Sequence, residues 1–230
     1  MLPTFYMEIV LATRNTDKIK EITAIMAPLD LSVVLVERFA DVPEVVEGGR
    51  TLEENALKKA RLVRDATGLC ALSDDTGLEV KALDGAPGVY SARYAGEDAT
   101  YQDNTRKLLE TMAGVPLARR GARFRCVAAL ALTPQIAGSL QGLQDGSNAV
   151  NVDSGAGRPD TLIGEGILEG RIATTGRGSA GFGYDPVFEL MSGKTLAEMG
   201  LEEKNRVSHR YRALIELREL LLRSRLCTER

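Results

Sequence analysis

The chain has 230 residues, 44% of them hydrophobic and 27% charged, an ordinary globular composition long enough for one large domain or two modest lobes. Its 29 Lys and Arg against 32 Asp and Glu leave a formal charge of −3, without the basic excess that a duplex nucleic-acid binder needs to neutralise phosphates, so nucleic acid is not expected as a partner. No run reaches the roughly 18 apolar residues of a membrane span and the first residues lack a basic, then apolar, leader, so no membrane partner or targeting segment is expected.

Glu8-Ile-Val-Leu-Ala-Thr13 is a short apolar run ending in a polar turn, the pattern of a buried strand. From Thr16, apolar residues at Ile19, Ile22, Ile25, Met26 and Leu29 recur near the 3.6 period, predicting a helix that ends close to Pro28. Ser32 to Phe39 is the next strand, and strand, helix, strand units of this kind build parallel or mixed sheets. Beyond the loop Asp41 to Arg50, Thr51-Leu-Glu-Glu54 is a capping box that opens a helix stopping at Gly68. Leu69 to Leu72 reads as a buried strand running into Ser73-Asp74-Asp75-Thr76-Gly77, which places two acids at a strand end. Gly85 to Gly88 is a turn, Thr100 to Met112 a helix, and Ala122 to Thr133 a strand with Phe124, Cys126, Ala128, Leu130 and Leu132 on one face. Pro134 to Thr161 is rich in Gly, Ser, Asn and Asp without periodicity and reads as a long irregular surface loop. A strand over Gly164 to Thr175, the glycine-rich Gly176 to Gly183, a second capping box at Thr195 to Glu198, and a helix from Ser208 with Leu214, Leu217, Leu220 and Leu221 on one face complete the chain.

Cys70, Cys126 and Cys227 lie too far apart for metal-ligand spacing and are odd in number, which fits a reducing cytoplasm; Cys70, inside an apolar strand, reads as core in preference to nucleophile. His209 is the only histidine, which excludes His-rich zinc sites. Thr13-Arg-Asn-Thr-Asp-Lys18 lies where a strand hands over to a helix. It is either a polar-capped helix start or an anion site built from free N–H groups, the helix dipole, Arg14 and Lys18. Asp74, Asp75 and Glu47 are either turn residues or Mg²⁺ ligands of a phosphate-processing site. Gly176 to Gly181 satisfies GxGxxG, but Phe-Gly-Tyr-Asp-Pro follows it and no helix does, so the dinucleotide reading fails; a hairpin turn or a close approach of backbone to ligand remains, with Phe182 and Tyr184 offering flat faces. Lys204 to Arg212 is either a solvated basic face or a basic cluster compensated at a helix start that Ser208 can cap. His209 and Arg210 fall in a first helical turn, where cations oppose the dipole, so a negative or polar group is expected beside them.

Taken together, Ile9-Val-Leu-Ala-Thr-Arg-Asn15 with Lys18 and Glu21, Glu53-Glu-Asn-Ala56 with Lys59-Ala-Arg61, Ser73-Asp-Asp-Thr-Gly-Leu78, Gly85-Ala-Pro-Gly-Val-Tyr-Ser-Ala-Arg93, Gly181-Phe-Gly-Tyr-Asp-Pro186 and Ser208-His-Arg210 resemble the inosine triphosphate pyrophosphatase family. Their order and spacing span roughly Glu8 to Leu221. The resemblance implies an α/β fold, an elongated mixed β-sheet flanked by helices in two lobes with a nucleotide cleft. It also implies a homodimer, Mg²⁺ dependence, and hydrolysis of ITP, dITP or XTP to the monophosphate and pyrophosphate. Carried over by position, Thr13, Arg14, Asn15, Thr16, Asp17 and Lys18 would hold phosphates. Glu47 and Asp75 would bind Mg²⁺ or position water, with Asp75 as proton acceptor, and Thr76 would touch substrate. Phe182, Gly183, Tyr184 and Asp185 would stack on and bond the base, Lys204 would contact the nucleotide, and His209 with Arg210 would read the purine edge. Arg14 stands where the family often has glycine, and Pro134 to Thr161 is longer than is usual there. The rival expectations are a pyrophosphatase for modified pyrimidine nucleotides and a nucleotide-binding regulatory module.

Overall fold

Strand β1 (Met7–Leu11) passes into helix α1 (Thr16–Met26) and strand β2 (Leu31–Leu35), and α2 (Leu52–Thr67) leads into β3 (Cys70–Val80) and β4 (Pro87–Gly88). There follow α3 (Tyr101–Thr111), β5 (Gly121–Ala131), α4 (Pro134–Ser139), β6 (Thr161–Ile172), β7 (Phe188–Glu189), α5 (Leu201–Val207) and α6 (His209–Arg223). The computed structural model describes residues 7–43, 45, 48–139 and 160–229. The strands form one mixed sheet in the order β2-β1-β3-β5-β6-β7, with β4 paired to β3. Ile9 of β1 lies opposite Val33 and Cys70 in parallel pairings, whereas β3 with β4 and β6 with β7 are antiparallel. The expected α/β class with a mixed sheet is what the chain adopts.

Two compact units divide the chain: Met1–Asp75 with Val127–Glu165 and Arg210–Arg230, and Thr76–Cys126 with Gly166–His209. In the first unit, local capping sets the helix starts. Asn15 Oδ1 accepts from the amides of Asp17 (3.0 Å) and Lys18 (3.2 Å), and Thr51 Oγ1 accepts from Glu54 N (3.1 Å), while the Glu54 carboxylate takes the Arg50 amide (2.6 Å) and not that of Thr51. α6 buries Ala213, Leu214, Leu217, Leu220 and Leu221, the one-sided stripe its spacing predicts. Val10, Ala12, Val34, Val36, Val42, Val63 and Ala71 pack as one apolar cluster. The second unit has its own core of Leu78, Val80, Leu108, Met112, Phe124, Ile172, Tyr184 and Phe188 with neighbours.

Several boundaries differ from the sequence pattern. β2 ends at Leu35, and Val36–Arg38 is a 3₁₀ turn that keeps Val36 in the core while exposing Glu37 and Arg38. β6 begins at Thr161, three residues early, because Thr161, Leu162 and Ile163 are all buried. Of the stretch expected to be irregular, Pro134–Ser139 is helix α4, with proline in the first turn and Thr133 Oγ1 accepting from the Ile136 amide (3.4 Å); residues 140–159 lie outside the described residues. The most consequential difference is β3, which does not stop before the acids. It runs on through Ser73-Asp74-Asp75-Thr76-Gly77 to Val80, so the aspartates sit inside a strand, 2% and 6% exposed.

Arg120 shows how the second unit treats a buried cation. Its Nε donates to Ile172 O (2.7 Å), Nη1 to Met112 O (2.9 Å) and Val115 O (3.3 Å), and Nη2 to Ala173 O (2.9 Å). Arg120→Ala leaves those carbonyls without this donor, and at roughly 1–3 kcal/mol for a buried polar group left unsatisfied the expected loss is on the order of 3 kcal/mol. Urea unfolding of the two proteins reads it; an unchanged midpoint would show that the fork does not support this unit.

Candidate active site

The pleat of β3 sends Asp74 and Asp75 to opposite faces of the sheet, and each face brings its own helices. Ser73 and Asp75 share the face covered by α2: the Ser73 hydroxyl donates to Ala56 O (2.5 Å), Lys59 Nζ meets Asp75 Oδ1 (2.9 Å), and Asn55 Nδ2 donates to Asp75 Oδ2 (3.2 Å). Asn55 and Lys59 are four residues apart and lie on the buried stripe of α2 with Leu52, Ala56, Ala60 and Val63, so one helix face delivers both donors. On the other face, Lys18 of α1 approaches Asp74 Oδ2 (3.2 Å), and Arg210 of α6 bonds the same oxygen through Nε and Nη2 (both 3.1 Å). Arg210 Nη1 donates to Glu21 Oε2 of α1. The Asp74 main-chain carbonyl also accepts from Lys59 Nζ (2.9 Å) and Lys18 Nζ (3.4 Å).

Three carboxylates, Glu21, Asp74 and Asp75, thus meet three cations, Lys18, Lys59 and Arg210, with formal charges that sum to zero. Burial alone would push the Asp74 carboxyl up, but the charges of Lys18, Arg210 and Lys59 overcome it and hold the group far below the usual aspartate range. Among these cations only Lys18 keeps an open edge, its side chain 17% exposed against 2% for Arg210. No group of three His, Cys, Asp or Glu suited to a metal occurs among the described residues. Asp75, a hard oxygen ligand, is compatible with a cation that uses one or two carboxylates plus phosphates and water. Glu47, the expected second ligand, lies outside the described residues.

The second unit carries a different cluster. Asp185, 2% exposed, accepts from the Phe182 amide (2.9 Å) and from Lys204 Nζ (2.6 Å) on one oxygen, Oδ2. Gly181, at φ +73°, is required there, because a Cβ would fall on that oxygen. Lys204 Nζ also lies 4.7 Å from the centroid of the half-buried Phe182 ring, which Tyr101 flanks at 5.7 Å. His209, 4% exposed, stacks on Phe124 with centroids 4.5 Å apart. Thr76 is half-buried in β3, and the Gly183 carbonyl accepts from Thr105 Oγ1 (3.3 Å).

These geometries bear on four expectations. Tyr184 is no stacking face: its ring is 5% exposed in the core, its hydroxyl donates to Ser91 O (2.9 Å), and burial raises its pKa well above that of an ordinary phenol. All three guanidinium nitrogens of Arg210 meet carboxylates, the negative groups expected beside a cation in a first helical turn. At the α1 N-terminus the Asn15 side chain caps the Asp17 and Lys18 amides. Thr13 is half-buried, Thr16 exposed, and exposed Arg14 donates to Val42 O (3.3 Å), which leaves the Lys18 ammonium as the part of this segment joined to the aspartates. In the glycine-rich loop the backbone closely approaches protein: a Cβ at Gly178 would strike the Ala197 carbonyl. Cys70 is core as expected, its thiol pushed up by burial. Glu21, Asn55 and Lys59 were not assigned roles by sequence reasoning. Their signal is a polar residue at a stripe position of an amphipathic helix that should be apolar.

With this geometry, the chain matches the model of the Ham1 family over residues 9–220. The chain belongs to the Ham1 family. It is 47% identical over 214 residues to a dITP/XTP pyrophosphatase of Geobacter sulfurreducens, covering 93% of this chain and 96% of that protein. It is 43% identical over 213 residues to one of Geobacillus kaustophilus, covering 92% and 93%. Among solved structures it resembles a HAM1 protein from Coxiella burnetii, with a TM-score of 0.78 at 38% identity over 94% of this chain and 99% of that one. The Staphylococcus aureus Ham1 protein matches at 0.73 and 34%, covering 93% and 97%. The motif resemblance and the Ham1 assignment agree.

Asp74→Asn in this Ham1 chain leaves Lys18 and Arg210 with one carboxylate fewer; breaking a buried pair costs on the order of 3 kcal/mol. A carboxylate with a depressed folded pKa contributes stability that is complete above its unfolded value, about 3.9, and is withdrawn as the pH falls below it. Urea unfolding from about pH 5 to pH 2 is therefore expected to show a steeper acid loss for the wild type than for Asp74→Asn. Parallel profiles would contradict the assignment.

Proposed function

We propose that this chain is a Mg²⁺-dependent nucleoside-triphosphate pyrophosphatase that hydrolyses dITP, ITP and XTP to the monophosphate and pyrophosphate. The observation that carries the reading is Asp75, an aspartate held on both oxygens by Lys59 and Asn55, next to the Lys18–Asp74 pair, in a chain whose Ham1 relatives are named dITP/XTP pyrophosphatases. Hydrolysis at the α-phosphorus adds water, breaks the α–β anhydride bond and releases pyrophosphate, chemistry that is mostly positioning plus electrostatics. Asp75 orients the water and takes its proton, with Lys59 and Asn55 fixing the carboxylate's direction. Lys18, the cation with an open edge, meets the phosphates. Asp75, with Glu47 as its expected partner, would hold Mg²⁺ together with phosphate oxygens, and the ion supplies charge neutralisation there.

In the second unit, Phe182 offers the stacking face and the Asp185–Lys204 pair and His209 supply polar contacts to the base. A site of buried donors that fits a 6-keto purine would leave groups unpaired against adenine, a mismatch worth as much as about 10⁴-fold. Reduced, buried Cys70, Cys126 and Cys227 suit the cytoplasm, where such triphosphates arise. The homodimer implied by the family resemblance belongs to the same proposal, and light scattering on the eluted protein checks it.

The test is pyrophosphate release from ITP, dITP, XTP, GTP, ATP and dUTP, with Mg²⁺ and with EDTA, for the wild type and Asp75→Asn. The expected result is turnover of ITP, dITP or XTP that EDTA abolishes and that falls about 10³-fold in the variant, within the range of a lost general base. Preference for dUTP would support a pyrimidine enzyme instead, and no turnover of any triphosphate would overturn the reading.

A further inference from the structure

We infer that Glu21 is a positioning residue for the hydrolysis: it anchors Arg210 so that Arg210 holds Asp74, and through Asp74 the neighbouring Asp75 stays at its working position. The inference rests on the proposed pyrophosphatase reading and extends it to a buried side chain of α1.

Glu21 is 3% exposed, an acid on the buried stripe of α1 beside Ile22, Ile25 and Met26, where a core helix would carry an apolar residue. A buried carboxylate needs a partner, and it has one in Arg210, itself 1% exposed. The guanidinium is shared: Nη1 goes to Glu21, while Nε and Nη2 go to the same oxygen of Asp74. With a carboxylate on each edge, the planar fork has one orientation, and rotation that releases Asp74 also breaks the bond to Glu21. Asp74 is held at its main chain too, its carbonyl accepting from Lys59 and Lys18. Asp74 and Asp75 share a peptide bond, so fixing the first sets where the second projects on the opposite face of β3.

Charge gives a second reason for an acid at position 21. Without it, Lys18, Lys59 and Arg210 keep Asp74 and Asp75 but lose one carboxylate, and Arg210 Nη1 loses its bond to Glu21. An incoming triphosphate would then compete with Asp74 for Arg210. Glu21 keeps Arg210 on Asp74 and leaves the phosphates to Lys18, whose side chain has the open edge.

The experiment compares wild type, Glu21→Gln, Arg210→Met and the double variant, measuring kcat and KM with dITP and Mg²⁺ and thermal unfolding in parallel. A merely structural role lowers the folded fraction and leaves the turnover of folded enzyme and its KM unchanged. A positioning role lowers kcat per folded enzyme at least tenfold with KM within twofold, and adds no further loss in the Arg210→Met background, because Glu21 acts through that arginine. Unchanged kcat in Glu21→Gln, a rise in KM alone, or losses that multiply in the double variant would overturn the inference. If Glu21→Gln does not fold, Arg210→Met against the double variant decides: equal or higher kcat in the double supports the chain of contacts, and lower kcat overturns it. Absence of turnover by the wild type would instead overturn the pyrophosphatase reading itself.

Discussion

Two adjacent carboxylates inside a β-strand stay ionised only if cations follow them out of water, and the first unit of this chain is arranged around that requirement. Removing a charged group from water costs several kcal/mol even after relaxation, and the strand leaves Asp74 2% and Asp75 6% exposed. Because the pleat sends them to opposite faces, the two carboxylates take their hydrogen-bond partners from different helices. α2 supplies Asn55 and Lys59 on one side; α1 and α6 supply Lys18 and Arg210 on the other. The packing of three helices on β3 and the protonation state of the acids are therefore one problem with one solution.

The second unit solves a smaller version of it with different means. Asp185 meets Lys204 and a main-chain amide, and Arg120 meets carbonyl dipoles, its pKa lowered by burial. Glu189, held low chiefly by its bond to Arg177 with Arg171 on its other oxygen, lies nearer solvent.

Much of this architecture is visible in local pattern. Apolar runs and capped amphipathic stretches give β1, α1, α2, α3 and α6 to within a few residues, since capping and periodicity depend on neighbours in sequence. The family motifs bring Lys18, Asp75, Asp185 and Lys204 into view as site residues. What local pattern hides is decided by distant partners. Two acids after Leu72 look like a turn until Lys59 and Arg210, 15 and 136 residues from Asp74, arrive. Tyr184 looks like an open aromatic until Ser91, 93 residues away, accepts its hydroxyl. Glu21, Asn55 and Lys59 were nevertheless readable in principle, as polar intrusions into apolar helix stripes that a fold cannot leave unpaired.

The account turns on Asp75 being held ready before substrate arrives and handling the water at the α-phosphorus. A crystal structure with Mg²⁺ and an α,β-imido analogue of dITP tests this most directly. The account predicts the α-phosphate across one water from the Asp75 carboxylate, with Lys59 and Asn55 still bonded to it and Arg210 still on Asp74 and Glu21. A triphosphate seated away from Asp75, or Arg210 released from Asp74 to the phosphates, would contradict it.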